Sequence, residues 1–197
     1  MHLKNRLFSV IFVILFVGIL QSCAATTLKK VWKDPGYSGK IKKIFVIGVS
    51  EKQHVRTIFE KEFVNQLKPF HIEGVPSYFV LGAQKMLDKE TIVSKIQGEE
   101  IDAVLITRLV GQDTKTIYNH NWYGHYSASY DNARKKRVYT DEILNLETNL
   151  YDVRTEKLIW SAVSSTYLLD DPSTSIPKEI QSFIKLMIKN LSEEKLI

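Results

Sequence analysis

Short runs of apolar residues alternate with more polar segments along the first half of the chain. Three runs are rich in Val, Ile or Leu, as in strands buried within a sheet, and they span residues 43–50, 70–81 and 101–112. Between the first two runs the apolar residues repeat every three or four positions, at Val55, Ile58, Phe59, Phe63 and Leu67. This spacing predicts one buried face of a helix. A shorter helix is predicted before Gly98.

The second half of the chain has a different pattern. Apolar and polar residues alternate over 142–153, the turn sequence RTEK follows at 154–157, and a second β-rich run covers 158–169. This combination predicts an antiparallel hairpin. Near the C-terminus, apolar residues again lie three or four positions apart, at Ile176, Ile180, Phe183, Ile184, Met187, Ile188 and Leu191. The last element is therefore predicted to be an amphipathic helix.

The predicted order of elements is β-α-β-α-β-β-β-α. Early β-α-β units favour parallel pairing through right-handed crossovers, and the late hairpin adds antiparallel strands. We therefore expect an α/β fold: a mixed sheet with a C-terminal antiparallel hairpin and helices packed on it. The sequence shows no internal repeat, and residues 41–197 are predicted to form a single domain.

The first 22 residues have the layout of a secretory signal peptide. Lys4 and Arg6 supply the positive start, and an apolar run follows from Leu7 to Leu20. This run is shorter than the roughly 20 residues that a helix needs to cross the hydrocarbon core. We therefore expect residues 1–22 to be removed, and the alternative is a retained N-terminal anchor helix.

The signal peptide ends at the one cysteine of the sequence, in Leu20-Gln21-Ser22-Cys23. This segment resembles the bacterial lipobox, which implies that lipid is attached to the Cys23 sulfur and that the chain is cut before Cys23. It also implies that the new amino group is acylated, commonly with palmitate. Several acyl chains hold a protein firmly on a bilayer. The alternative, an unmodified Cys in a membrane helix, does not explain the small residues around it.

The residues after Cys23 bear on location. Ala24 stands where the familiar inner-membrane retention signal has Asp, so we expect an outer-membrane protein facing the periplasm. Residues 23–40 are predicted to be the lipidated Cys and a tether. Loss of Lys4 and Arg6 with the leader lowers the formal net charge of +5. For an envelope protein, anionic lipid head groups are the expected counter-charges, and nucleic acid is not an expected partner.

Several segments carry a resemblance to known proteins: VWKDPGYSG, KIFVIGVS, RTIFEKEFVNQL, VPSYFVL, IDAVLITRLVG and LYDVRTEKLIWSA, which together extend from about residue 31 to 165. They are similar to a family of small bacterial envelope lipoproteins. The order of elements also resembles the periplasmic α/β domains of CsgG, LpoB and the TolB N-terminal region. The resemblance implies a role in envelope assembly or maintenance, as a binding or scaffolding module with an envelope protein partner.

One long segment, 118–137, combines aromatic, small and basic residues. Exposed Tyr and Trp side chains offer large contact areas at low entropic cost, which is typical of recognition loops. The candidate partner-binding residues are Tyr118, His120, Trp122, Tyr123, His125, Tyr126, Tyr130, Arg134 and Arg137. The alternative is a long hairpin whose aromatic residues pack on its own sheet.

Candidate chemistry is sparse. His120 and His125 could bind Zn²⁺ with Asp131, but the spacing fits no common motif and Cys23 is committed to lipid. No G-x-S-x-G elbow or phosphate-binding loop is present. We therefore expect no metal, no cofactor, no catalytic residues and no enzymatic activity. The alternatives are an envelope enzyme or metal-binding protein that uses these three residues, and a homo-oligomeric assembly unit.

Two further interpretations concern charged residues. Arg56 is assigned to the polar surface of the first helix, and Glu60, four residues later, is expected to form an ion pair with it. Glu99, Glu100 and Asp102 are interpreted as solvated charges at the turn between a helix and a strand.

Overall fold

The computed structural model of the chain describes residues 26–82, 89–117, 139–168 and 172–197. Six strands and four helices follow one another in these ranges. The strands are β1 (Thr26–Lys33), β2 (Lys43–Val49), β3 (Glu73–Pro76), β4 (Ala103–Ile117), β5 (Tyr139–Asp152) and β6 (Leu158–Leu168). The helices are α1 (Gln53–Leu67), α2 (Ser77–Leu81), α3 (Lys89–Ile96) and α4 (Pro172–Glu193), and a 3-10 turn, Lys68–Phe70, follows α1.

The strands form one mixed sheet in the order β1-β6-β5-β4-β2-β3. β2 lies between β3 and β4 and is parallel to both, whereas the pairs β4–β5, β5–β6 and β6–β1 are antiparallel. The predicted α/β class with a mixed sheet and a C-terminal hairpin is therefore confirmed.

Apolar side chains cover the sheet on both faces around β2. Ile44 and Val46 face α1 and α4 in the larger cluster, together with Phe63 and Phe183. Phe45 and Ile47 face the other way and pack against α2 and α3. Because alternate residues of a strand point to opposite faces, a strand buried on both faces needs the continuous apolar run seen at 43–50.

Helix α4 lies along the antiparallel half of the sheet. Its buried stripe runs through Phe183, Ile184, Met187 and Ile188, as the spacing predicted. Trp160 of β6 is fully buried beneath it and donates from Nε1 to Asn190 Oδ1 at 3.1 Å. On the opposite face of β1, β5 and β6, no described helix packs against the strands.

Two expectations differ from the structure. The tether expected for residues 23–40 is wrong for Thr26–Lys33, which forms the edge strand β1 paired with β6. The single strand expected over 70–81 is also wrong, because the chain is in strand only over Glu73–Pro76 and then turns into α2. Within the described residues, no helix is long and apolar enough to cross a bilayer.

Candidate functional site

The residues to which the sequence assigned binding or lipidation lie outside the described residues. This holds for Cys23 and for the aromatic and basic segment. Its residues are Tyr118, His120, Trp122, Tyr123, His125, Tyr126, Tyr130, Asp131, Arg134 and Arg137. The positions at which the described chain borders these segments are nevertheless clear: Thr26 on one side, and Ile117 and Tyr139 on the other.

These border positions lie at the same end of the sheet. Thr26 pairs with Thr166 of β6, Thr166 pairs with Leu144 of β5, and Leu144 pairs with Gln112 of β4. Beyond this row, β4 and β5 continue as a two-stranded hairpin to the pair Ile117 and Tyr139. We call this the Thr26 end of the sheet. The lipidation candidate and the aromatic segment therefore both connect to the described fold at the Thr26 end.

The parallel strands point towards the Thr26 end but finish before it, because Val49 of β2 pairs with Arg108 of β4, four residues short of Gln112. β2 and β3 run in the same direction as β4, so their carboxyl ends point the same way as the hairpin. Helix α1 starts four residues after β2, and α2 follows β3 directly. In open α/β sheets, the carboxyl ends of parallel strands are the usual place for a binding site.

A buried cluster of charged and polar side chains lies just beneath these carboxyl ends. Glu60 of α1 is fully buried. Its Oε1 accepts hydrogen bonds from Gly48 N at 3.0 Å, Arg56 Nε at 2.9 Å and Ser77 Oγ at 2.5 Å. Its Oε2 accepts from Tyr78 N at 2.9 Å. One carboxylate thus joins α1 to the carboxyl end of β2 and to the start of α2.

Arg56 completes this cluster from one helical turn away. It donates from Nη2 to Ser77 Oγ at 2.7 Å and from Nη1 to Gly82 O at 3.3 Å. Arg56 is buried, although the sequence placed it on the polar surface of the helix. The expected ion pair with Glu60 is confirmed, but it belongs to the core and not to the solvent-exposed face.

The close approach of α1 to β2 depends on a glycine. A Cβ atom at Gly48 would lie 2.7 Å from the ring of Phe59, so a side chain at this position would push the helix away from the strand. The hydrogen bond from the Gly48 amide to Glu60 would then be lost. Because Glu60 and Ser77 have no solvent exposure, this cluster has the properties of a structural clamp and gives no access to a substrate.

The uncovered face of the antiparallel strands carries a polar ladder. Arg108 binds Glu147 across β4 and β5, with Nε and Nη2 both within 2.7 Å of Oε2. One row closer to the Thr26 end, Ser165 Oγ donates to Asn145 Oδ1 and Asn145 Nδ2 donates to Asp113. Such cross-strand pairs hold the hairpin in register.

The opposite end of the sheet is closed by carboxylates. Asp102 Oδ2 accepts from the amides of Lys42 and Lys43, at 2.7 and 2.9 Å. Asp152 holds the next turn by accepting from Thr155. Asp102 was interpreted as a solvated charge, and this interpretation is wrong because its carboxylate fixes the entry to β2.

The Tyr37 hydroxyl interacts with the carboxylates of Asp102 and Asp152. Burial raises the pKa of its hydroxyl, and the charges of Asp152 and Asp102 raise it further. No three His, Cys, Asp or Glu side chains converge into a metal-binding group in the described ranges.

The sequence did contain a signal for the buried ion pair. Arg56 and Glu60 lie three residues before and one residue after Phe59, so both are in phase with Phe63 and with Leu67. The buried face observed for α1 consists of Arg56, Phe59, Glu60, Phe63 and Leu67, whereas Ile58 is exposed. A charged pair four residues apart that continues an apolar stripe is thus a sign of a buried pair.

The similarity of this chain to known proteins is a similarity of fold. No protein-family model matches the sequence, and no curated protein matches it either. Solved structures do match, and one of them is PelC from Paraburkholderia phytofirmans, solved as a dodecamer. The match covers 84% of this chain and 96% of that chain, with 12% identity and a TM-score of 0.50. It shows a shared α/β fold and nothing more specific.

Two further solved structures have lower TM-scores. Lipoprotein GNA1162 from Neisseria meningitidis matches with 17% identity, 76% coverage of this chain, 99% coverage of that chain and a TM-score of 0.44. A minor lipoprotein from Acinetobacter baumannii matches with 9% identity, 79% and 96% coverage, and a TM-score of 0.38. The resemblance to CsgG, LpoB and TolB stays a prediction.

Proposed function

We propose that this chain is a bacterial envelope lipoprotein, anchored through Cys23, that binds or scaffolds another envelope component at the membrane surface. In this proposal the protein faces the periplasm from the outer membrane and acts by binding, without catalysis of its own. One observation carries the proposal: the described chain borders both Cys23 and the segment 118–137 at the Thr26 end of the sheet.

The distance from the lipid to the fold supports this geometry. Only three peptide links separate Cys23 from Thr26, and three residues span at most about 11 Å. Thr26 is held in the sheet through its pairing with Thr166 and a side-chain hydrogen bond at 3.0 Å. A lipid on Cys23 would therefore hold the Thr26 end close to the bilayer. A partner bound by residues 118–137 would lie beside the membrane.

The lipid anchor is tested first by intact-mass analysis of the full-length protein purified from membranes. We expect a mass that lacks residues 1–22 and carries acyl chains, and a Cys23→Ser variant that retains its leader. A mature chain with a free thiol would overturn the proposed anchor.

The binding role is tested by cross-linking in cells followed by affinity capture. Deletion of residues 119–136 is expected to abolish recovery of a defined envelope partner. The matched control is Phe70→Ser, because Phe70 is exposed at the opposite end of the fold. Recovery of the same partner after the deletion would show that this segment is not the binding surface.

A second candidate role is self-assembly. It is favoured by the match to PelC, whose structure was solved as a dodecamer, over nearly the full length of that chain. Here the bound component would be further copies of the same chain. Light scattering of the purified lipoprotein in detergent tests this role: a mass that is a multiple of 22.7 kDa, after the detergent contribution is subtracted, is expected. A monomeric mass over the whole concentration range would exclude it.

A further inference from the structure

Strand β4 is longer than the strand beside it. β2 pairs with β4 only as far as Val49, which lies opposite Arg108, whereas β5 pairs with β4 as far as Ile117. The side of β4 that β2 covers up to Arg108 is thus a sheet edge from Leu109 onwards, and no other described strand lies along it. We call residues 109–117 on this side the β4 edge. Backbone groups on a sheet edge can pair with a further strand.

The other two edge strands carry features that discourage pairing with another chain. β1 contains three Lys residues and a register shift, and β3 has only four residues and ends at Pro76. Lysine, proline, irregular register and short length are the usual means of protecting an edge strand. The β4 edge has one register shift, near Val110, and then continues in unbroken register over the seven residues 111–117. It is the least protected edge in the described part of the sheet.

Symmetry restricts how two copies of this edge can pair. Two identical antiparallel strands in a closed dimer are related by a two-fold axis normal to the sheet, so each residue lies on the same face in both copies. Residues directly opposite each other share a face, and successive residues of a strand alternate between faces. The axis must therefore lie beside a residue that pairs with its own copy, and each allowed register is defined by this central residue.

Charge and space exclude most registers centred within residues 112–115. A pairing centred on Asp113 would place two carboxylates directly opposite each other, and one centred on Lys115 would oppose two ammonium groups. Like charges in this position are destabilising. A pairing centred on Gln112 would bring the second copy opposite Arg108, where β2 already lies. The register centred on Thr114 is the one that remains.

The register centred on Thr114 makes the edge complementary to itself. It pairs residues 111–117 with the same seven residues of the second copy and stops three residues short of Arg108, so β2 does not obstruct it. Asp113 then lies opposite Lys115 of the second copy, and the symmetry repeats this pair. Asp113 is exposed, and Asn145 Nδ2 donates to its Oδ2 at 3.0 Å, which positions the carboxylate. Opposite charges across an antiparallel pair are stabilising.

We propose that the β4 edge is a self-association surface, on which residues 111–117 of two copies pair in antiparallel register about Thr114. The second copy of this chain is the occupant to which the proposal commits. The pairing joins two six-stranded sheets into one continuous sheet, held by backbone hydrogen bonds and by two Asp113–Lys115 pairs. The proposal rests on the self-assembly role proposed above, and it adds the surface and the register through which the copies meet.

The first test reverses the charges and measures association of the full-length lipoprotein in detergent, by light scattering over a range of protein concentrations. Lys115→Glu opposes like charges twice and is expected to raise the dissociation constant about tenfold. Adding the second change, as Asp113→Lys with Lys115→Asp, restores opposite charges and should return the constant to within about twofold of the original. Lys29→Glu on β1 is the control of equal net charge and should have no effect.

The double variant also separates association from effects within the β4–β5 hairpin. Position 115 pairs with Asp141 of β5 in the same chain. Lys115→Glu and the double variant both place an acid at this position, so any cost within the hairpin is present in both. Recovery of association in the double variant can therefore come only from the contact between copies.

The second test uses disulfide formation to check the register. Intact mass first confirms that the thiol of Cys23, the one Cys of the sequence, is taken up by lipid. Thr114→Cys then places two thiols directly opposite each other, where Cβ atoms are about 4.5–5.5 Å apart and small shifts allow a disulfide. Mild oxidation should give a linked dimer for Thr114→Cys and none for Thr27→Cys, which is exposed on the edge strand β1.

The outcomes distinguish this proposal from the self-assembly role. Self-association that is unaffected by Lys115→Glu and gives no disulfide at position 114 overturns the β4 edge and leaves self-assembly intact. Equal disulfide yields at positions 114 and 27 indicate random collision and overturn the register. A protein that stays monomeric over the whole concentration range overturns both proposals.

Discussion

At the end of the sheet opposite Thr26, carboxylates hold the turns between strands, whereas at the carboxyl ends of β2 and β3 a carboxylate is buried in an ion pair. Asp102 and Asp152 accept hydrogen bonds from four donors in the surrounding turns. At the carboxyl ends of β2 and β3, the carboxylate of Glu60 points inward and binds two helices and a strand. Asp102 is partly exposed to solvent, whereas Glu60 is fully buried.

This difference has a physical consequence for stability. A buried ion pair stabilises only while both partners are present, since an uncompensated buried charge is strongly unfavourable. A carboxylate that accepts backbone hydrogen bonds at the surface loses less when it is removed, because water can replace it. The two ends of the sheet should therefore respond differently to removal of one carboxyl group.

The largest effect is expected for Glu60→Ala. It leaves Arg56 buried without its carboxylate, and loss of one partner of a buried pair typically costs about 3–5 kcal/mol. The measurement is the free energy of unfolding in denaturant. Glu193→Ala is the matched control, because Glu193 pairs with Lys189 at the same spacing but on the surface. That change should cost no more than about 0.5 kcal/mol.

Replacement of both partners sharpens this prediction. The double variant with Arg56→Met and Glu60→Leu removes both charges and is expected to be more stable than Glu60→Ala alone, since no unpaired charge is left. Equal costs for Glu60→Ala and Glu193→Ala would show that the cluster does not fasten α1 to the sheet.

At the other end, Asp102→Ala is expected to cost about 1–3 kcal/mol, because the amides of Lys42 and Lys43 lose their acceptor. Glu99→Ala serves as the control: Glu99 is a neighbouring acid and is exposed to solvent. The free energy of unfolding in denaturant is measured for both variants. A cost for Asp102→Ala as large as that for Glu60→Ala would remove the difference between the two ends.

A smaller, pH-dependent effect is expected at Glu179 of α4. Burial raises the pKa of this carboxyl, and the charge of Lys178 lowers it by a lesser amount. Because the folded pKa lies above the unfolded pKa, the stabilising contribution is complete at pH values below the unfolded pKa. It is lost as the pH rises through the folded pKa. Glu179→Gln should therefore raise the midpoint of unfolding at neutral pH and have no effect at low pH. A difference that is independent of pH would contradict this assignment.

Much of the fold could be predicted from the sequence, because buried strands and amphipathic helices have distinct periods. β2, β4, the late hairpin and α4 lie where the apolar pattern placed them. β1 was missed because its sequence, TTLKKVWK, contains three Lys and because a register shift between Leu28 and Lys30 interrupts the alternation. Edge strands often carry Lys, which protects them from pairing with other chains. A polar edge strand is therefore hard to distinguish from a tether.

The site was less predictable than the fold. The run VPSYFVL is apolar throughout, so its pattern alone does not show that the strand ends at Pro76 and a helix begins. Leu109 and Val110 are exposed because β2 ends opposite Arg108, which depends on the register between strands that are far apart in the sequence. The partner-binding role that composition assigned to residues 118–137 stays a prediction.

The smallest effect is expected for Phe79→Ser. A residue that is 76% exposed packs little against the fold, so the free energy of unfolding should change by no more than about 0.5 kcal/mol. Phe63→Ser is the contrasting change, because Phe63 of α1 is fully buried in the core cluster that includes Phe183 of α4, and its loss should cost about 3–5 kcal/mol. If Phe79→Ser leaves the free energy of unfolding unchanged in the absence of membranes, the Phe79 side chain does not stabilise the fold. A cost close to that of Phe63→Ser would mean that Phe79 belongs to the core.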